Sequence, residues 1–455
     1  MPADKGSKVF SFSDNSEASS QSPHDLFPHG RRNFLRGLLG AVAGTMLPNV
    51  VLGQQETFAL PNPNASGLDH IILVMMENRS MDHLLGWYKR AGGQQAGFTY
   101  LDNNGLPHST FHLRDFQGCT HPDPDHSYAG GRVEYDGGLC DGWLHAGSND
   151  IYSIGYYLPS DLAFLGRQVP RWSTFSRYFA AMMCETFPNR IYQHAAQTDR
   201  LTNTNTISTL STIWDLLLAQ GVSANYYYSD IPFLALWGAK YLPISRPITQ
   251  FFLDAQAGTL PAVSFVDPRF LGEAQGLSND DHPHADIRNG EVFLNSIYTA
   301  VTAGPAWKNT ALIINFDEWG GFFDHVPPPT APIPPITAAA GDTDGRLGFR
   351  VPCLVVSPFA VRGHVSGDQF DHCSVLKLIE WRWNLPNLTI RDATANNLAN
   401  TLKFAFPNLN APQFAVNPGP FGNVCSSPAI AKQTAENSSW NQLAQQASAQ
   451  GWKVY

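Results

Sequence analysis

Residues 69–83 read Asp69-His70-Ile71-Ile72-Leu73-Val74-Met75-Met76-Glu77-Asn78-Arg79-Ser80-Met81-Asp82-His83. From Ile71 to Met76 the run is wholly apolar and lacks the alternation of a strand that faces water on one side. It therefore predicts a strand buried on both faces. Such a strand belongs to a largely parallel sheet with helices packed over it. The run stops abruptly in polar and charged groups. Glu77 and Asn78 leave it together, offering a carboxylate and an amide oxygen to a cation. The same residues also suit a capping turn in which Asn78 or Ser80 starts a helix. Ligands of open α/β sheets gather at the carboxyl ends of strands, which favours the first reading.

Outward from this stretch, short apolar runs predict further strands over 225–229, 262–266, 311–316 and 352–357. Helical patterns cover 212–220, 249–257, 287–303 and 374–383. The expected fold class is α/β, a central, largely parallel sheet covered by helices on both faces. Residues 91–171 are rich in Gly, Asp and His with little periodicity, the character of a functional insertion. Residues 327–340 form a Pro/Ala-rich loop, and the tail beyond 404 is rich in Asn, Gln, Ser and Ala. Three regions are expected: a leader over 1–53, one large domain over 54–405, and an extension over 406–455 packed on it.

The chain has 455 residues, 43% apolar and 15% charged, which describes a folded protein with a sizeable core. Its formal net charge of −9 argues against nucleic acid, because binding a phosphate backbone normally needs a basic face. A small or lipid-like anion needs only a local positive site. Near the start, Gly30-Arg31-Arg32-Asn33-Phe34-Leu35-Arg36 precedes a mildly apolar stretch ending near Gly53. Paired arginines ahead of such a stretch resemble a twin-arginine export signal. The stretch is too short and too broken for a confident membrane span. Export machinery is thus an expected partner, and the periplasm, the cell envelope or the medium the expected location. The six cysteines show no CxxC spacing and make no zinc framework. Cys119 and Cys140 bracket a Gly/Asp-rich loop and are candidates for a disulfide in an oxidising compartment, with the others read as buried thiols.

A second apolar run, Ala311 to Phe316, ends in Asp317 and Glu318 followed by Trp319-Gly320-Gly321. Adjacent side chains on a strand point to opposite faces, so both carboxylates can meet one cation only if the chain turns there. The glycines permit that turn. A third segment, Cys184-Glu185-Thr186-Phe187-Pro188-Asn189-Arg190, sets a hydroxyl just ahead of a proline able to occupy the first helical position. There helix amides favour an anion. Thr186 reads either as a metal-activated nucleophile or as a helix cap, with Arg190 or nearby amides as a phosphate or structural clamp. Histidines beside aspartates (His126, His282, His284, His325, His372) form a fourth set, in which a carboxylate can orient the ring. No Gly-x-Ser-x-Gly elbow, P-loop or His-Glu-x-x-His pattern competes.

Six segments carry a resemblance: ENRSMDHLLGWY from Glu77, DPDHSYAGGRVEYDGGLCDGW from Asp123, TFPNRIY from Thr186, NDDHPHADIRNGE from Asn279, INFDEWGGFFDHVPPP from Ile314 and FDHCSVLKLIEWRW from Phe370. In this order they resemble the bacterial phosphoesterase family of phospholipases C and acid phosphatases, within the alkaline-phosphatase-like superfamily. Met81 stands where Phe is usual, and Cys373 where Thr is common. The resemblance implies a divalent cation held by Glu77, Asn78, Asp317, Glu318 and the Thr186 oxygen, with its identity open among Ca, Zn, Mn, Mg and Fe. It also implies Thr186 as the nucleophile and His126 and His282 against the phosphoryl group, one of them donating the proton. The expected activity is phospholipase C hydrolysis through a phospho-threonine, with a phospholipid substrate and transient membrane contact. An acid phosphatase acting on monoesters is the alternative, and a non-catalytic exported binding protein a third reading. Trp143, Tyr152, Tyr156, Tyr157, Tyr226 to Tyr228 and Trp237 are candidates for a choline cage, though aromatics more often fill cores.

Overall fold

Strand β1 (His70–Met76) lies at the heart of an eight-stranded sheet, and every residue from Ile71 to Met76 is buried. The computed structural model describes residues 59–426 and 434–455, so the expected twin-arginine leader lies outside the described residues. The other strands are β2 (Ser173–Phe175), β3 (Ala224–Tyr228), β4 (Ser245–Pro247), β5 (Val263–Asp267), β6 (Thr310–Phe316), β7 (Cys353–Val356) and β8 (Val365–Ser366). They lie in the order β8-β2-β7-β6-β1-β5-β3-β4. Only β7 pairs antiparallel with its two neighbours, and the other pairings are parallel. The α/β architecture read from the sequence is the one observed.

Burial of β1 and β6 on both faces requires cover on both sides. Burying each Ile, Leu or Val side chain of β1 stabilises the fold by about 1.5–3 kcal/mol. Helices Ile213–Ala219, Ile248–Ala257, Ile287–Ala303 and His372–Trp383 fall where the patterning predicts them. Strands β2, β4 and β8 escaped prediction. They span two or three residues with Ser, Thr, Arg or Pro among them, too short to show a period, and pairing with neighbours decides them.

The register carries most of the functional consequence. His70 to Met76 pair in parallel with Thr310 to Phe316, ending on the couple Met76 and Phe316. Glu77 and Asp317 therefore leave adjacent strands at the same level. Beside them, β5 ends in Asp267.

The insertion at 91–171 folds around a second apolar cluster, in which Tyr100, Cys140, Trp143, Leu144 and Ile154 meet Trp319, Phe323 and Phe349. The disulfide expectation is corrected here, since Cys119 bonds to Cys425 and Cys140 is a buried free thiol in that cluster. The returning tail brings Cys425 beside Cys119, a proximity local spacing does not reveal. Cys184, Cys353 and Cys373 are buried free thiols. Of the aromatics weighed between a choline cage and the core, Trp143, Tyr152, Tyr157, Tyr226, Tyr227, Tyr228 and Trp237 are buried in the apolar clusters. From the final helix, Thr434–Ala449, Trp440 stacks on Phe270 with centroids 4.0 Å apart and meets Phe187 edge-on at 4.9 Å.

Candidate active site at the strand tips

The helix Thr186–Ala195 begins at Thr186 itself, with Glu185 as its extended N-cap. Pro188 is therefore the third helical residue and not the first, and Thr186 is not the cap. The Thr186 side chain is buried, and its hydroxyl donates to Asn78 Oδ1 at 3.3 Å. Asn78 turns out of β1 with a φ of 55°, a left-handed conformation that asparagine tolerates better than most residues. Its backbone N–H donates to Asp317 Oδ1 at 3.1 Å, and the Glu318 N–H donates to the same oxygen at 2.7 Å. Gly320 closes this turn at a φ of +64°, where an added Cβ would come within 2.2 Å of the Asn78 carbonyl oxygen. The Gly320 N–H donates to Glu318 Oε2 at 2.7 Å. The two strand tips are thus bonded to one another beside the threonine hydroxyl.

Arg190, one helical turn beyond Thr186, crosses beneath this group. Its Nε lies 3.1 Å from Glu77 Oε1 and 3.0 Å from Asp317 Oδ2, and its Nη1 donates to Asp267 Oδ1 at 3.0 Å. With so many buried carboxylates to hold, Arg190 is a structural clamp and not a phosphate ligand. Burial alone would lower its pKa, yet Glu77, Asp317 and Asp267 together raise it. Burial pushes the Glu77 carboxyl well above its ordinary range, with Arg190 opposing. Among the described residues none donates a hydrogen bond to the two Glu77 oxygens, the contact to Arg190 being an ion pair without hydrogen-bond geometry. A buried carboxylate in that condition, beside an amide oxygen and further carboxylates, is what a hard divalent cation would satisfy.

Two histidines face this centre. His126 Nε2 lies 3.3 Å from Asn78 Nδ2 and 4.0 Å from Glu318 Oε1. Its Nδ1 bonds the Pro124 carbonyl at 2.7 Å, so in the neutral ring Nδ1 carries the proton and Nε2 is the basic nitrogen. His282 sits edge-on to His126, with centroids 5.9 Å apart. Its Nδ1 lies 3.3 Å from Glu273 Oε2 and its Nε2 3.7 Å from Asp123 Oδ2. The other histidines serve elsewhere. His372 donates from Nε2 to the Phe316 carbonyl at 3.0 Å and props the end of β6, burial pulling its pKa down to about 4. His325 bonds Asp82 in a network with Asp324 and Arg350, and His284 bonds the His121 carbonyl at 2.9 Å.

Residues 68–386 match the Phosphoesterase family. The chain belongs to that family. Among curated relatives, the phosphoesterase is 32% identical over 374 residues to non-specific phospholipase C1 of Arabidopsis thaliana, covering 71% of this chain and 69% of that protein. It is 29% identical over 469 residues to phospholipase C A of Mycobacterium tuberculosis, covering 85% and 87%. Among solved structures, one from Vibrio parahaemolyticus in the alkaline phosphatase superfamily aligns with a TM-score of 0.38 at 9% identity, covering 88% and 90%. Family and relatives make the chain a phosphoric ester hydrolase.

The phosphoesterase brings Glu77, Asn78, Thr186, Asp317, Glu318, His126 and His282 together, and three further acids lie among them. Glu77, Glu273 and Asp280 form one group, and Asp123, His126 and His282 another, each with candidate ligand atoms within 4.8 Å of one another. Asp280 also accepts the Glu77 N–H on its carbonyl at 2.8 Å. Asp280 and Asp123 stand inside segments singled out from the sequence, where their acidic neighbours hid them. Glu273 lies in the short 3-10 turn Glu273–Gln275, where nothing in the sequence pattern distinguishes it.

Proposed function

We propose that this phosphoesterase is an exported phospholipase C that cleaves a phospholipid through a covalent phospho-threonine on Thr186. The observation that supports this most is the buried Thr186 hydroxyl 3.3 Å from Asn78 Oδ1, beside the paired tips of β1 and β6. Hydrolysis of a phosphate diester mainly requires that charge be neutralised and the attacking atom aligned. Glu77, Asn78, Asp317, Glu318 and Thr186 would hold a divalent cation. Such a cation supplies positive charge that lowers the pKa of a neighbouring hydroxyl and polarises a phosphoryl oxygen.

In this reading His126 or His282 takes the Thr186 hydroxyl proton as Oγ1 bonds to phosphorus, and a proton from these histidines passes to the diacylglycerol oxygen as its bond to phosphorus breaks. Water then attacks the phospho-threonine, giving one proton to the Thr186 oxygen as the bond from phosphorus to Oγ1 breaks and the phosphorylated head group leaves. Arg190 keeps Glu77 and Asp317 together throughout. The relatives named phospholipase C support a phospholipid substrate, and the paired arginines at 31–32 support export by the twin-arginine route. Among the described residues no helix is long and apolar enough to cross a membrane.

The test compares phosphatidylcholine, sphingomyelin and p-nitrophenyl phosphate as substrates for the purified chain and for Thr186→Ala. Diester turnover should dominate and should fall by about 10⁴-fold or more in the variant, with its thermal unfolding unchanged. Chelation should remove wild-type activity and a divalent ion restore it. Full turnover by Thr186→Ala excludes the covalent route, and monoester turnover far above diester turnover makes the protein an acid phosphatase.

A further inference from the structure

Two irregular loops face one another across the site. Residues 115–126 contain no helix or strand, and residues 268–286 contain only the turn Glu273–Gln275. Yet His126 and Asp123 sit on the first loop, and Glu273, Asp280 and His282 on the second. Segments without a hydrogen-bonded ladder open at little cost in free energy. The placement of these side chains therefore depends on what fastens the loops.

Residues 421–425 of the returning tail supply the fastening. Phe421 exchanges two hydrogen bonds with the Asn289 side chain, at 3.3 and 3.2 Å. Asn423 exchanges two with the Gln117 side chain, its carbonyl accepting at 2.7 Å and its N–H donating at 3.0 Å. Cys425 donates its N–H to the Ala274 carbonyl at 2.7 Å, next to Glu273, and its sulfur is bonded to Cys119. The fit is close, since a Cβ on Gly276 would come within 2.9 Å of the Asn423 nitrogen. One short segment thus stitches the loop of Asp123 and His126 to the loop of Glu273 and His282.

We propose that residues 421–425 are a covalently fastened strap that positions the Glu273–His282 pair against the Asp123–His126 loop, so that turnover depends on the Cys119–Cys425 bond. The functional part of this rests on the esterase reading above. An external dithiol opens the bond by donating two electrons and two protons, leaving two cysteine thiols and the reagent's own disulfide. The remaining hydrogen bonds then hold a strap that is no longer tethered. Cys425 is buried and Cys119 half-buried, so reduction is expected to be slow but attainable in the folded chain.

The experiment uses the full-length chain, oxidised or treated with dithiothreitol, and the double variant Cys119→Ser/Cys425→Ser. Hydrolysis of a soluble chromogenic phosphodiester is followed together with hydrogen exchange. Reduction should lower kcat by about tenfold, the scale of a small misplacement of reacting groups, while KM stays within about twofold. Re-oxidation should restore kcat, and the double variant should stay low and ignore the reductant. Faster exchange should be confined to 115–126 and 268–286, with β1 and β6 still protected. Unchanged kcat after both thiols have been titrated overturns the proposal, as does loss of protection spread across the sheet, which would make the bond a general stabiliser. If the oxidised wild type hydrolyses no phosphate ester, the functional reading fails by itself, and the exchange pattern still decides for or against the strap.

Discussion

The indole Nε1 of Trp319 donates to Glu134 Oε2 at 2.7 Å, inside the protein. Asn149 Nδ2 donates to the other Glu134 oxygen at 3.1 Å, and Asn149 Oδ1 accepts the Asp125 N–H at 2.6 Å. Glu134 therefore joins the turn after Glu318 to the loop that carries His126. Burial raises its carboxyl well above the ordinary range, with Trp319 and Asn149 opposing. Glu134→Ala leaves the buried Trp319 indole N–H without its acceptor, which costs about 1–3 kcal/mol, and takes one of two acceptors from the half-buried Asn149 amide. Thermal unfolding should register the loss, and kcat should fall more than KM rises. An unchanged melting temperature would show that water takes over the indole N–H.

Arg190 is the cation that lets Glu77, Asp317 and Asp267 lie together. Arg190→Met strands their charge and should destabilise the fold by about 3–5 kcal/mol, the range for breaking a buried ion pair from one side. Added divalent cation should recover more of the melting temperature in this variant than it adds to the wild type. Equal cation responses would argue that the strand-tip carboxylates do not bind the ion.

Glu380 gives the fold a pH dependence of its own. On the helix His372–Trp383 it is buried, and burial together with the Asp392 carboxyl group pushes its pKa up to about 10. A carboxyl with a raised folded-state pKa keeps its proton in the native protein after the unfolded chain has lost it. Its contribution to stability is complete below the unfolded value and drains away as pH rises towards the folded one. Stability should therefore decline from about pH 5 to pH 10 through this group. Glu380→Gln, permanently neutral, should flatten that decline and be more stable than the wild type at pH 8. Chemical denaturation at several pH values checks it, and parallel profiles for the two proteins would exclude the assignment.

How much of this could be read from the chain depended on the range of the interactions. The runs from Ile71 to Met76 and from Ala311 to Phe316 announced themselves because a strand buried on both faces has no room for polar residues, and the abrupt change at Glu77 and Asp317 marked the tips. Thr186 and the two histidines came with short, distinctive segments. By contrast, Glu273 acquires its meaning only when its turn is folded against His282. The pairing of Cys119 with Cys425, 306 residues apart, depends on where the tail returns. Arg190 could be read as a clamp for phosphate or for structure, and only the three carboxylates around it decide between them.

Trp440 lies flat against Phe270, and the Arg190 guanidinium lies 4.7 Å from the same ring. The layer behind the strand tips is therefore closed by a residue of the helix Thr434–Ala449. During synthesis, the backing of the strand tips cannot be finished until Trp440 has left the ribosome. A nascent chain arrested before the final helix would carry Thr186, Glu77 and Asp317 and still leave one face of Phe270 exposed to water.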